Sequence, residues 1–250
     1  TEAAQHPEAM KAQLEKMAKE CCSIRMIAHT QPHLTPLEMK KAQIVEIQIN
    51  GGSVAQKVEF ATSFLEKEIK VQGIFKEGQQ VDTISITRGR GYEGTIYRWN
   101  VRHLQRKNEM GTRHVACIGS WHPANVKYTC GRPGQMGYFH RTATNKMILM
   151  VNNAADKKCC RTEFDTTDKG INPLGGWVSY GLIKEDFVMI MGSCPGTKKR
   201  TVIIRESLFP HRNAKLLKLQ WVCTASKMGH GMFEIAEDKK NFFANSKKYK

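Results

Sequence analysis

Arg88-Gly-Arg-Gly-Tyr-Glu-Gly94, Arg98-Trp99 and Gly119-Ser-Trp-His-Pro123 all fall in one stretch, residues 88–146, whose reading decides the fold. The stretch holds eight glycines and two prolines, so long regular elements are not expected in it. It also carries 11 basic side chains against 2 acidic ones, interleaved with Tyr92, Tyr97, Trp99, Trp121, Tyr128, Tyr138 and Phe139. A loop this long has no place inside a compact domain unless it is functional or ordered by a partner. Disordered linkers are poor in aromatic residues, so this stretch is expected to fold against something. Arginine, flat rings and glycine together suit RNA: guanidinium forks take phosphates, rings take exposed bases, and bare backbone permits close approach.

The charge pattern around the stretch points the same way. The 250 residues carry a net charge of +16, unevenly distributed. Residues 1–87 and 147–197 each sum to −1, whereas 88–146 and 198–250 each sum to +9. Two near-neutral blocks thus alternate with two basic ones, the pattern of a scaffold presenting two anion-binding surfaces. No apolar run approaches the ~20 residues of a membrane-spanning helix, and the polar, Lys/Glu-rich start does not read as a secretory signal. No membrane partner is expected. The eight cysteines include no CxxC pair and are read as free thiols in a reducing, cytosolic compartment.

Periodicity gives the remaining elements. Residues 2–22 read as an amphipathic helix, with Ala3, Met10, Leu14, Met17 and Cys21 roughly on one face. Ser23–His29 reads as a strand. Ala42–Ile49 alternates strictly, Val45, Ile47 and Ile49 against Ile44, Glu46 and Gln48, and ends in the turn Asn50-Gly-Gly52. Ser53 then caps a helix with the stripe Val54, Val58, Ala61, Phe64 and Leu65. Val81–Thr87, Met147–Val151, Trp177–Leu182, Phe187–Met191 and Thr201–Arg205 are expected as short strands of a small barrel or sandwich. Leu217–Val222 is expected as a strand and Glu234–Phe243 as a short helix.

Enzymatic motifs fail on context. Gly89-Arg-Gly-Tyr-Glu-Gly94 matches GxGxxG after a strand, and Glu109 lies 20 residues beyond Gly89, where a dinucleotide-binding acid sits. Yet Thr95–Asn100 is β-branched and aromatic, so no helix is expected there to receive a pyrophosphate. Kinase companions are absent too. His103, His114, His122 and His140 form no metal spacing and lack nearby carboxylates to orient them. Gly196-Thr-Lys-Lys-Arg200 lacks the upstream glycine of a phosphate-binding loop and reads as a basic hairpin tip. No catalytic residue, metal or cofactor is expected.

Several stretches, taken in order, resemble the universal large-subunit ribosomal protein L three family. They are Thr87 to Gly94, Arg98-Trp99, Val115-Ala-Cys-Ile-Gly-Ser-Trp-His-Pro-Ala124, and Gly134-Gln-Met-Gly-Tyr138 with Arg141-Thr142 and Asn145-Lys146. Ile171-Asn-Pro-Leu-Gly-Gly176, Pro195-Gly-Thr-Lys-Lys-Arg200 and Ser226-Lys-Met-Gly-His-Gly231 extend the likeness downstream, and Arg25-Met-Ile-Ala-His-Thr30 and Ile49-Asn-Gly-Gly52 upstream. It covers roughly residues 20–245, and the Trp-His-Pro form is similar to the cytosolic eukaryotic or archaeal branch. Glu109 stands where cytosolic relatives usually have a histidine that can be methylated, and residues 152–162, with Cys159-Cys160, match poorly.

The resemblance implies a mixed β and α+β protein. Its expected parts are a portion of a small six-stranded translation-protein-type β-barrel, an α/β extension, a long irregular finger penetrating rRNA, and a basic C-terminal extension. The corresponding segments are 1–77 for the α/β extension, 78–88 and 147–206 for the barrel portion, 89–146 for the finger and 207–250 for the C-terminal extension. The first barrel strands have no counterpart here; they are expected outside this sequence, on a separate polypeptide, or lost. The implied rRNA-binding residues are Arg88, Arg90, Tyr92, Arg98, Trp99, Arg102, His103, Arg106, Lys107, Arg113, Trp121, His122, Lys127, Arg132, Gln135, His140, Arg141, Lys146, Lys198, Lys199 and Arg200. Trp121 and His122 correspond to the tip of the finger, near the peptidyl-transferase centre and the path of aminoacyl-tRNA accommodation. The expected partners are large-subunit rRNA and neighbouring large-subunit proteins, in cytoplasmic ribosomes, with assembly in the nucleolus of a eukaryote. A free-standing RNA-binding or regulatory module derived from the same family is the alternative, separated by whether the chain stays on large subunits through high salt.

Overall fold

The computed structural model describes residues 7–108, 111–212 and 217–246, so Ala3 and Glu109 lie outside the described residues. In chain order the elements are α1 (Pro7–Glu20), β1 (Ile24–His29), β2 (Ile44–Ile49), α2 (Val54–Ser63), β3 (Gln80–Ile86) and β4 (Gly91–Glu93). There follow α3 (Thr95–Trp99), β5 (Gly134–Met136), β6 (His140–Asn153), β7 (Asp186–Ile190), β8 (Ile203–Glu206) and α4 (Ala236–Ser246). They fall into two units: Thr1–Gln79, Met147–Ile190 and Lys215–Lys250 in the first, Gln80–Lys146 and Met191–Ala214 in the second. Residues 80–88 and 191–206 therefore group with residues 89–146, and 147–190 with the segment before Gln80.

In the first unit β1 and β2 pair antiparallel, Ile24 opposite Ile49 and His29 opposite Ile44. This register puts Ile24, Met26, Val45, Ile47 and Ile49 on one face, as the alternation requires. Helix α2 starts with a reciprocal capping box: the Ser53 N–H donates to Gln56 Oε1 (2.9 Å), and the Gln56 N–H to Ser53 Oγ (3.4 Å). A separate core gathers Cys159, Cys160, Ile171 and Phe187, with Met150, Trp177, Ile183 and Val222 packed against it. Burial, with Cys159 beside it, pushes the Cys160 thiol up to about 12, so this cysteine pair packs as two small apolar groups. At the same core Lys169, with 1% of its side chain exposed, donates to Asp165 (2.6 Å) and Glu234 (2.9 Å). Its ammonium also stands 5.0 Å from the centre of the Trp221 ring.

The second unit is built on β3, whose Val81, Asp82, Thr83 and Ser85 are buried. It pairs antiparallel with β8, Val81 opposite Glu206 and Ile84 opposite Ile203. Strand β6 neighbours β3 in the order β7-β6-β3-β8, and its second half pairs with β7 across a bulge between Ile148 and Met150. The sheet is open. Among the described residues β7 and β8 are free edges, and no barrel closes.

Four sequence expectations change. Strand β6 begins at His140, inside the stretch read as loop, because its neighbour β3 supplies a ladder that periodicity does not report. Trp177–Leu182 is a tight turn with one bridge: Trp177 and Gly181 exchange backbone bonds (2.9 and 3.0 Å), and Gly176, Ser179 and Gly181 all take positive φ. Leu217–Val222 has no strand partner among the described residues, and side chains hold it instead. Thr162 Oγ1 donates to the Gln220 carbonyl (2.7 Å) and Trp221 meets Lys169. Finally, a helix does follow Gly94. It is one turn, closed by Arg98 N–H to Gly94 O (3.0 Å) and ended by Asn100 at φ 55°. Intrinsic propensity is weak enough over five residues for the contacts of Arg98 and Trp99 to override it.

Candidate nucleic-acid interface

Two arms leave the second unit's sheet side by side, one after β3 and one returning into β6. Their root is a backbone zipper. The Thr87 N–H donates to Phe139 O (2.9 Å), the Tyr138 N–H to Arg88 O (3.3 Å) and the Arg90 N–H to Met136 O (2.9 Å). Then β4 and β5 pair, Gly91 opposite Met136 and Glu93 opposite Gly134. Gly137 makes the closeness possible. It is buried with φ 72°, and a Cβ there would lie 2.0 Å from the Arg88 carbonyl oxygen.

Beyond the root the chain holds itself with local turns. The Leu104 N–H reaches Thr112 O (3.0 Å), the Cys130 N–H reaches Lys127 O (3.1 Å), and Ser120 Oγ reaches His122 O (2.6 Å). Apolar packing is sparse here, and every residue from Ala116 to Thr129 is exposed. Trp121 is 88% exposed and Tyr128 94%, far above what a core aromatic shows.

The expected site residues separate by what their side chains touch. Arg102, His103, Arg106, Lys107, Arg113, His122 and Lys127 are exposed along the arms, as are Arg88, Arg132, Lys198 and Lys199. Tyr92 lies exposed on β4 opposite Gln135, whose amide donates to Met136 O and Gly137 O (3.2 and 3.3 Å). Arg90 sits 4.9 Å from the centre of the Tyr97 ring, and Arg141 5.0 Å from that of Phe139. His140 is exposed and Lys146 half-buried. Arg98, Trp99 and Arg200 instead donate to main-chain carbonyls. No described group of three or more His, Cys, Asp and Glu side chains is placed to hold a metal ion.

One anchor of this surface is not visible as a motif. Asp82, an acid inside an apolar strand, is buried and accepts from the Asn145 N–H (3.0 Å) and from Arg205 Nε and Nη2 (3.3 and 3.2 Å). Ser207 Oγ closes the network on the Asn145 side chain. Burial pushes the Asp82 carboxyl up, but bonds from the Asn145 N–H, Arg205 and Ser207 outweigh it and hold the group below its ordinary value. The acid in mid-strand was the available signal.

The second unit carries 16 basic side chains against 4 acidic ones. Its arms present free guanidinium and ammonium groups beside exposed rings, which equips them to take up phosphates and bases of a polyanion. Comparison with known proteins specifies the class. The family model for Ribosomal protein L3 matches residues 1–229. A large ribosomal subunit protein uL3 of Aspergillus fumigatus is 44% identical over 239 residues, 94% of this chain and 61% of that protein. Protein uL3B of Schizosaccharomyces pombe is 45% identical over 248 residues, 98% of this chain and 64% of that protein. The uL3 of Tetrahymena thermophila is 46% identical over 237 residues, again 94% and 61%. The chain belongs to the ribosomal protein L3 family, in its eukaryotic branch. It spans 61–64% of the length of these relatives.

Proposed function

We propose that this chain is a structural constituent of the large ribosomal subunit, not an enzyme, and that it binds large-subunit rRNA through residues 88–146 and the Lys198–Arg200 turn. The observation that carries this reading is a surface of unpaired cations and exposed rings on arms with little core of their own. Such arms gain order from a polyanion, and the family supplies which one: the relatives are large-subunit ribosomal proteins. In this reading the open sheet β7-β6-β3-β8 is part of the six-stranded barrel, residues 89–146 are the finger, and 207–250 a basic extension. The tip, Trp121 and His122, lies toward the peptidyl-transferase centre, so the protein supports subunit assembly and tRNA accommodation. Its neighbours are rRNA and other large-subunit proteins, and its location is the cytoplasmic ribosome, assembled in the nucleolus.

A tagged chain expressed in eukaryotic cells tests this. It should co-sediment with large subunits through a high-salt gradient and crosslink by ultraviolet light to large-subunit rRNA from the 88–146 segment. Release at moderate salt, or equal crosslinking to unrelated RNA, would refute the ribosomal role.

A further inference from the structure

The arginines of the finger are alike in sequence, but their geometry divides them. Arg102, Arg106 and Arg113 are exposed, and no hydrogen bond or ion pair engages their side chains among the described residues. Arg98 and Arg200 are half-buried and bonded to main-chain carbonyls. We propose that Arg98 and Arg200 are positioning residues that lock the root of the finger, and are not themselves phosphate ligands. The proposal deepens the rRNA-binding reading above and rests on it for what the finger contacts.

Arg98, on the outgoing arm, clamps the returning arm. Its Nε donates to Gln135 O (3.0 Å) and its Nη1 to Arg132 O (2.8 Å), with Trp99 Nε1 reaching the same Arg132 carbonyl (2.9 Å). The guanidinium also lies 5.3 Å from the centre of the Trp99 ring. Two glycines leave room for these flat groups. A Cβ at Gly134 would stand 3.2 Å from Arg98 Cζ, and one at Gly131 3.1 Å from the Trp99 ring.

Arg200 works from the other side. Its Nη1 donates to both Ile86 O (3.2 Å) and Thr87 O (3.0 Å), where the outgoing arm leaves β3, and its guanidinium lies 5.5 Å from the centre of the Tyr138 ring. A planar guanidinium holds two carbonyls and lies beside a ring in one rigid geometry, which the compact ammonium of a flexible lysine does not reproduce here. Turning Arg98 out to a phosphate would leave the Arg132 and Gln135 carbonyls without these donors, so the exchange gains little.

The test uses the full chain, a large-subunit rRNA fragment, and two readouts: the slope of log K against log salt, and amide hydrogen exchange without RNA. Arg102→Ala should lower the slope by about 0.7 to 0.9 and leave exchange unchanged. Arg98→Lys and Arg200→Lys keep the charge, so the slope should hold. Amide exchange at Arg90 and Tyr138 should instead rise on the order of tenfold, with affinity falling by a common factor at every salt concentration. Exchange at Met26 and Ile47 in the other unit should stay fixed, which marks the effect as local. Wild-type exchange and affinity in Arg98→Lys would overturn the proposal. So would an Arg98→Ala variant whose only change is a slope lowered by about 0.7 to 0.9, the signature of a lost phosphate contact. If the wild-type chain bound no rRNA while Arg98→Lys still loosened the root, the locking role would stand and the RNA reading would fall.

Discussion

The two units treat charge in opposite ways. In the first, six cations are answered by carboxylates: Lys16 by Glu20, Arg25 by Glu46, Lys158 and Arg161 by Asp168, Lys218 by Glu163, and Lys169 by Asp165 and Glu234. In the second, the described ion pair is Arg205 with Asp82, and among the described residues no other cation of this unit pairs with a carboxylate. One unit uses charge to hold its own chain; the other leaves charge available to a ligand. Burial decides the energy in each case. A pair sealed from water cannot lose one member cheaply, whereas an exposed cation contributes to its own fold almost nothing.

The largest effect that would break this contrast is at Lys169. Lys169→Ala leaves Asp165 nearly buried and unpaired, and should lower the unfolding free energy by about 3 to 5 kcal/mol. The exposed Lys158→Ala should cost under about 1 kcal/mol. Urea unfolding followed by tryptophan fluorescence measures both, and equal losses would erase the distinction. The pH dependence follows in sign. Burial pushes Asp165 up, but bonds from Lys169 and Thr162 outweigh it and hold it below its ordinary 3.8. Burial likewise pushes Lys169 down, and its bonds to Asp165 and Glu234 raise it above 10.5. The Asp165 contribution is therefore present above 3.8 and lost as pH falls through its lowered value. The Lys169 contribution is whole below 10.5 and lost as pH rises through its raised value. The stability difference between wild type and Lys169→Ala should be flat from about pH 5 to 9 and shrink at both extremes. A maximum within that window would contradict the pairing.

The opposite behaviour is expected of the arms. Replacing Arg102, Arg106 and Lys107 together with Ala should flatten the salt slope of rRNA binding by about 2 to 3 units. The urea midpoint of the same variant should hardly move, since surface substitutions away from packed features stay within about 0.5 kcal/mol each. Loss of stability without loss of slope would mean that these cations serve the fold after all.

Much of this contrast is legible in residue types. The alternation in residues 42–49, the Ser53 cap and the stripe of Val81–Thr87 dictate their elements locally, because period and capping depend on neighbours in the chain. The irregular, basic character of residues 88–146 is equally plain, since glycine, proline and positive charge with few acids leave few alternatives. What stays hidden depends on partners distant in sequence. Nothing in Leu217–Val222 says that Trp221 meets Lys169 instead of a strand, and nothing near Lys169 says that Glu234 will reach it. Residue type alone gives Arg98 and Arg102 the same role. Only the carbonyls of Arg132 and Gln135, more than 30 residues away, separate them.

The smallest expected effect sharpens the contrast within the second unit itself. Trp99 and Trp121 lie in the same 88–146 stretch, yet Trp99 donates its indole N–H to Arg132 O while Trp121 is 88% exposed among exposed neighbours. An isolated ring of this kind contributes little to the fold, but it can stack on an unpaired base for roughly 1 to 3 kcal/mol. Stacking releases no counterion. Trp121→Ala should therefore weaken rRNA binding by about that amount at every salt concentration with the slope unchanged, and Trp121→Phe should recover most of the loss. Ribosomes assembled with Trp121→Ala should form in near-normal yield and show altered aminoacyl-tRNA binding, measured separately from subunit yield. Trp99→Ala should instead loosen the root and reduce yield. If Trp121→Ala lowered subunit yield and left tRNA binding unchanged in the particles that form, the exposed tip would be an assembly contact, and both rings would belong to the structural half of the comparison.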